Sequence, residues 1–187
     1  LDFSFNTSLT YLNCRSNRLN SLEISKNANL TTLICWSNEL DSLDVSTNTA
    51  LDSLDCSSNN LTSLDVSNNL ILTYLNIDHN QITGLDISNN TALTYLSCYF
   101  NQQLTSLDVS NNTALTYLNL YYNKITSLDV SNNTALESLT CASNQLSSLD
   151  VSNNISLLEL WCSGNPLTNL DISNNTDLYA FDCHNNQ

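Results

Sequence analysis

The chain repeats itself every 21 residues. Leu9, Leu30, Leu51, Leu72, Leu93, Leu115, Leu136, Leu157 and Leu178 open successive units, and the spacing lengthens once, where Gln102 and Gln103 together add one residue. The shared pattern is L-x-x-L-x-C-x-x-N-x-L-x-x-L-D-V-S-x-N-x-x. So short a period restricts the fold to stacked units, because one unit cannot bury its own apolar side and must share it with neighbours. The array divides into a partial repeat at 1–8, eight repeats of 21–22 residues at 9–177 and a partial repeat at 178–187, as one domain with no linker. Both ends cut a unit in the middle, so the chain is expected to be a piece of a longer protein.

Within a unit the period falls to two. Leu118 and Leu120 alternate with positions 117, 119 and 121, and Leu128 and Val130 alternate around Asp129; both are the signature of short extended segments. No ten-residue stretch has helical periodicity. With 2 Gly and 1 Pro in the whole chain, the corners fall to asparagine, which tolerates left-handed backbone and bonds neighbouring backbone. The Asn at 17, 38, 59, 80, 101, 123, 144, 165 and 186 recurs once per unit. These amides are expected to bond corner backbone and one another.

The first half of each unit, L-x-x-L-x-C-x-x-N-x-L, resembles the conserved segment of leucine-rich repeat proteins. The second half, L-x-x-L-D-V-S, resembles the nested 21-residue bacterial subclass called IRREKO. The resemblance covers essentially the whole chain. It implies a mostly β or irregular repeat solenoid, a right-handed coil with a parallel β-sheet on one face, the short extended Leu-Asp-Val segment on the other, and little or no helix. It also implies a bacterial protein, secreted or at the cell surface, that binds partners.

Charge narrows the partners. Lys plus Arg number 4 against 18 acidic residues, a net charge of -14, which opposes nucleic acid and anionic membrane surfaces. No apolar run reaches the 18 residues or so that a membrane-spanning helix needs. The open strand edges at the two ends offer end-to-end or edge self-association.

Two uniform columns read as structure. Cys14, Cys35, Cys56, Cys98, Cys141, Cys162 and Cys183 share one inward position, taken by Ile77 and Leu120 elsewhere. A slot that accepts Ile and Leu wants apolar volume, so reduced core cysteines are expected. Asp44, Asp65, Asp86, Asp108, Asp129, Asp150 and Asp171 form an outward column that Glu23 and Asp2 extend. Calcium bridging is one reading of it; carboxylates bonded to nearby Ser, Asn and backbone amides is the other, and no loop supplies the six or so converging oxygens of a dedicated site. No metal site and no cofactor is assigned.

The outward positions of the first half behave differently. Position three reads Tyr11, Thr32, Ser53, Tyr74, Tyr95, Tyr117, Ser138, Glu159, Ala180; positions seven and eight are as varied, whereas the outward residues of the second half scarcely change. A structural demand acts on every coil alike and makes columns uniform; a partner acts on particular coils and makes them irregular. The irregularity centres on Tyr74, Tyr95 and Tyr117 in one row, Tyr99 and Tyr121 in a second, and Phe100 and Tyr122 in a third, with Trp36 further along. These eight residues are the candidate binding site. Rows of rings also stabilise sheets without any ligand, so both roles stand.

His79 and His184 lie far apart in the stack, and spacing places no Ser, Cys or carboxylate beside either, so no catalytic residue is assigned and an enzyme is not expected. A non-catalytic module that recognises a protein or polysaccharide through the sheet face is the leading expectation. A structural spacer or adhesin stalk is the alternative. Binding of an ordered surface such as ice, through the corner row Thr91, Thr113, Thr134 and Thr176, comes third.

Overall fold

The computed structural model describes residues 2–187. Leu1, the first residue of the expected partial repeat, lies outside the described residues. Nine strands run in chain order: β1 (Tyr11–Asn13), β2 (Thr32–Ile34), β3 (Ser53–Asp55), β4 (Tyr74–Asn76), β5 (Tyr95–Ser97), β6 (Tyr117–Asn119), β7 (Ser138–Thr140), β8 (Glu159–Trp161) and β9 (Ala180–Asp182). Each pairs in parallel with the next in one sheet, with no helix among the described residues. The fold is a parallel solenoid, one strand per coil.

Register follows the repeat. Leu12 pairs with Leu33, Leu33 with Leu54 and Leu54 with Leu75, so each central Leu lies over its equivalent in the next coil. These leucines, the Cys/Ile/Leu slot and the Leu and Val of the second half form one continuous buried core. The Leu-Asp-Val segment forms no ladder of its own. It is held instead by turns such as Asn48 N donating to Val45 O at 3.0 Å.

Asparagine closes the coil in two columns. In the anticipated column, Asn59 Nδ2 donates to Cys35 O of the preceding coil (3.1 Å) and to Cys56 O of its own (3.0 Å), while its Oδ1 accepts Leu40 N at 3.0 Å. The amides therefore bond backbone and not one another, because the carbonyls of two coils converge on each Nδ2 first. A second buried column, Asn27, Asn48, Asn69, Asn90, Asn112, Asn133, Asn154 and Asn175, bonds downward: Asn90 Nδ2 reaches Val66 O (3.0 Å) and Asn69 O (2.9 Å). The Oδ1 atoms of this column meet no donor.

The extra residue of the fifth unit is absorbed in a turn at 102–103. It reroutes one bond: Asn123 Oδ1 accepts Asn101 N rather than the N–H of a leucine. The strands either side keep register, Tyr95 against Tyr117.

The cysteines are free, and six of the seven are buried. Cys183 is exposed, because no further coil covers it among the described residues. Burial pushes the buried thiols upward, Cys162 to about 12.

Candidate functional site

Because every strand is three residues long and pairs in register, side chains from equivalent positions line up along the solenoid axis. Tyr74, Tyr95 and Tyr117 open β4, β5 and β6 and form one continuous stack, with centroids 4.4 Å apart in both pairs and planes 11° and 2° from parallel. Tyr99 stacks on Tyr121 at 5.2 Å and Phe100 on Tyr122 at 5.0 Å. Edge contacts cross-link these two rows, Tyr99 to Phe100 at 5.8 Å and Tyr121 to Tyr122 at 5.9 Å. His79 joins them, edge-on to Tyr99 at 4.6 Å. Seven of the eight candidate residues therefore share one wall. The eighth, Trp36, lies apart beneath Arg15, whose guanidinium carbon is 5.2 Å from the ring centroid.

The wall is half-buried at the Tyr74 row and more open at Tyr121 (38% exposed) and Tyr122 (44%). Stacked rings cover one another's faces, so the wall presents mainly edges and hydroxyls. Burial first, then the neighbouring Tyr117 and Tyr74, holds the Tyr95 hydroxyl well above the usual range; burial first, then Asp55, raises Tyr74 as well. Both therefore present O–H groups at neutral pH.

A carboxylate lies under the wall. Asp78 Oδ1 accepts the Ser97 hydroxyl at 2.6 Å and Tyr99 N at 2.7 Å. Desolvation nevertheless raises its pKa above the usual carboxylate value.

Position eight carries backbone strain. Ser16, Ser37, Ser58, His79, Phe100, Tyr122, Ser143, Gly164 and Asn185 all hold φ between 50° and 65°. That left-handed conformation costs an ordinary L-residue about 1–2 kcal/mol relative to right-handed backbone, and Gly or Asn adopts it most readily. Bulky aromatics there are true outliers. Phe100 (φ 58°) and Tyr122 (φ 58°) occupy it on adjacent coils.

The uniform columns stand apart from this wall. Each Asp of the second half turns back on its own coil: Asp65 Oδ1 accepts Ser67 N at 2.9 Å, and Asp44, Asp86, Asp108, Asp129, Asp150 and Asp171 make the same bond. Bonds from serine hold these carboxyls below the usual range. Among the described residues no group of three or more His, Cys, Asp or Glu is placed to hold a metal ion, and no helix is long and apolar enough to cross a membrane. The corner threonines are exposed, but Leu70 and Ile155 interrupt their row.

One expectation is corrected. Spacing placed no carboxylate beside either histidine, yet His184 Nδ1 lies 2.6 Å from Asp182 Oδ1. Residues i and i+2 of an outward edge point the same way, so positions five and seven of one coil are neighbours. Position five also hides Trp161, 38% exposed, where other coils carry Asn, Asp, Ser, Thr or Ile. A lone indole in an otherwise small column was the signal available for it.

The chain is similar over 98% of its length to the functional domain of InlJ from Listeria monocytogenes, at 48% identity and a TM-score of 0.98. That structure includes a cysteine ladder, and the chain covers 41% of its length. The internalin InlF of L. monocytogenes matches 98% of the chain at 24% identity and a TM-score of 0.83, with 63% of InlF covered. Internalin C2 of the same organism matches 96% at 21% identity and a TM-score of 0.83, with 83% covered; these two show the shared fold. No protein-family model and no curated protein matches the chain.

Proposed function

We propose that this leucine-rich repeat protein, of the bacterial kind to which its structural neighbours belong, is a non-catalytic binding module that recognises a protein or polysaccharide through the aromatic wall of its sheet. The site comprises Tyr74, Tyr95, Tyr117, Tyr99, Tyr121, Phe100 and Tyr122, with Trp36 as an outlying contact. One observation carries the reading: Phe100 and Tyr122 keep bulky rings in left-handed backbone, where Ser, Gly or Asn closes the same corner on six other coils. The fold imposes this conformation on every coil; a bulky ring kept there in place of Gly or Asn is not required by the corner, and outliers of this kind cluster at functional sites. Tyrosine suits the role, since it offers apolar area and a hydroxyl at low entropic cost. The cell surface or the extracellular space is the setting proposed for such a module.

The test replaces Tyr95, Tyr99, Tyr117 and Tyr121 with Ser, the residue that Ser53, Ser57, Ser138 and Ser163 already place in the same two columns. Wild-type and variant are screened on arrays of purified proteins and glycans. Capture that disappears in a variant whose coil remains cooperative supports the module. Capture that persists supports a spacer whose binding lies elsewhere.

A further inference from the structure

Beyond the stacked tyrosines, the sheet face opens into a groove of ≈ 340 Å³ whose lining includes Tyr121, Ala142, Trp161, Ser163, Asp182 and His184. The floor is small, because Ala142 and Ser163 occupy position seven where Tyr99 and Tyr121 stand on earlier coils; both are nearly fully covered. Tyr121 stacks on Tyr99 of the preceding coil, so its other face looks along the axis over Ala142. Trp161 forms a side wall. At the far end His184 N and Nδ1 both contact Asp182 Oδ1, at 3.1 and 2.6 Å, and the Ser163 side chain neighbours the same carboxylate. A second carboxylate, Glu159, lies two residues before Trp161 on the same outward edge of β8 and accepts from Tyr179 and, at 3.3 Å, from Ser138 Oγ.

We propose that this groove receives an arginine side chain from a basic partner segment, its guanidinium stacked against the Trp161 and Tyr121 rings and bonded to the Asp182 carboxylate. The inference rests on the reading of the sheet face as the binding face and names the chemistry of one contact. Charge points to a cation: the chain carries 18 acidic residues against 4 Lys and Arg, and complementary potentials steer association. Ring faces and a carboxylate point to arginine rather than lysine. The planar guanidinium stacks on aromatic faces while its edge bonds a carboxylate oxygen, whereas an ammonium is a compact, strongly hydrated charge. The molecule contains the same pairing elsewhere on this face, Arg15 over Trp36 at 5.2 Å. There the cation is supplied by the preceding coil; at Trp161 the equivalent neighbour, Thr140, is uncharged and leaves the ring open.

The test follows the indole N–H signals of ¹⁵N-labelled protein, two in number for the two tryptophans, with Trp161 assigned through Trp161→Phe. Hexa-arginine, hexa-lysine and neutral oligosaccharides are titrated at about 0.15 M salt, where the Debye length is near 8 Å and long-range attraction is screened. The Trp161 signal is expected to move with hexa-arginine at a concentration at least about tenfold below that for hexa-lysine, a difference of about 1.4 kcal/mol. Ala142→Leu, which fills the floor without changing charge, is expected to weaken that response by a similar factor. An equal response to hexa-lysine, indifference to Ala142→Leu, or a response to a neutral sugar instead would overturn the assignment. Failure here alone leaves tyrosine-dependent capture intact in Ala142→Leu; failure of the wider reading removes the tyrosine dependence whatever Trp161 does.

Discussion

Tyr95 and Tyr117 stack face to face, their ring centroids 4.4 Å apart and their planes 2° from parallel. Tyr95 has a second such partner in Tyr74, whereas Tyr117 is followed by Ser138. Aromatic pairs contribute about 0.5–1.5 kcal/mol each beyond their burial. Both Ser variants lose the burial of one half-buried ring, and Tyr95→Ser is therefore expected to cost about 0.5–1.5 kcal/mol more than Tyr117→Ser, one further pair. Denaturant titration of the two variants checks the difference, and equal losses would show that the rings do not act as a stack.

Asn101 tests the corner chemistry. Its Nδ2 donates to Ile77 O (3.0 Å) and Cys98 O (3.2 Å), and its Oδ1 accepts Ile82 N (3.0 Å), all in the buried interior. Asn101→Ala strands Ile82 N at about 1–3 kcal/mol, while Ile77 O and Cys98 O keep Asn80 and Asn123 as donors. The expected loss is about 2 kcal/mol or more, which lowers Tm by about 4–8 °C for a chain of this size. Asn89→Ala, at an exposed position with one long bond to Ser67 O, is expected to change stability by less than about 0.5 kcal/mol.

The thiols should divide six to one. Cys183 is exposed, and the other six are buried with their pKa values raised by desolvation. A disulfide reagent at about pH 8, near the ordinary thiol pKa, should modify one cysteine per chain rapidly and the rest only after denaturant is added. Rapid reaction of more than one would place the cysteine column outside the core.

Acid should destabilise the coil in a defined direction. The Asp column has native pKa values below the unfolded value, with the serine bonds as the largest cause. Its stabilisation is thus fully present above the unfolded pKa of about 3.9 and is lost as pH falls through the native values. Melting temperature is expected to hold steady down to about pH 5 and to fall below about pH 4, less steeply in Asp129→Ala. A rise in Tm on acidification would mean that repulsion between neighbouring carboxylates outweighs their bonds to serine.

Much of this was legible in the residues. Period 21 dictated the stacking, period two dictated the strand at Leu118, and exchange of Cys for Ile77 and Leu120 marked the slot as core. The tyrosine rows followed from register alone, because equal spacing puts Tyr95 beside Tyr117. What escaped notice depends on three-dimensional closure. The Asn90 column looked like part of a uniform polar surface, and only the turn of the chain shows that it faces inward. Asp78 read as one more outward position, yet Ser97 and the rings above it cover it. The His184–Asp182 pair and the groove at Trp161 need two columns to be seen side by side, which a column-by-column comparison of coils does not provide.

The central claim is that the rings at the strained corner, Phe100 and Tyr122, are kept for a partner beyond what they contribute to the coil. The double variant Phe100→Asn, Tyr122→Asn tests it most directly, with melting temperature and affinity for an array-identified ligand measured on the same protein. Asparagine relieves about 1–2 kcal/mol of left-handed strain per residue and forfeits four ring contacts, to His79, Tyr99 and Tyr121 and between the two rings themselves, worth about 0.5–1.5 kcal/mol each. The two sums, about 2–4 and about 2–6 kcal/mol, largely offset, so stability is predicted to fall by only about 1 kcal/mol, while affinity falls by at least about tenfold, 1.4 kcal/mol. A clear drop in melting temperature with affinity unchanged would contradict it.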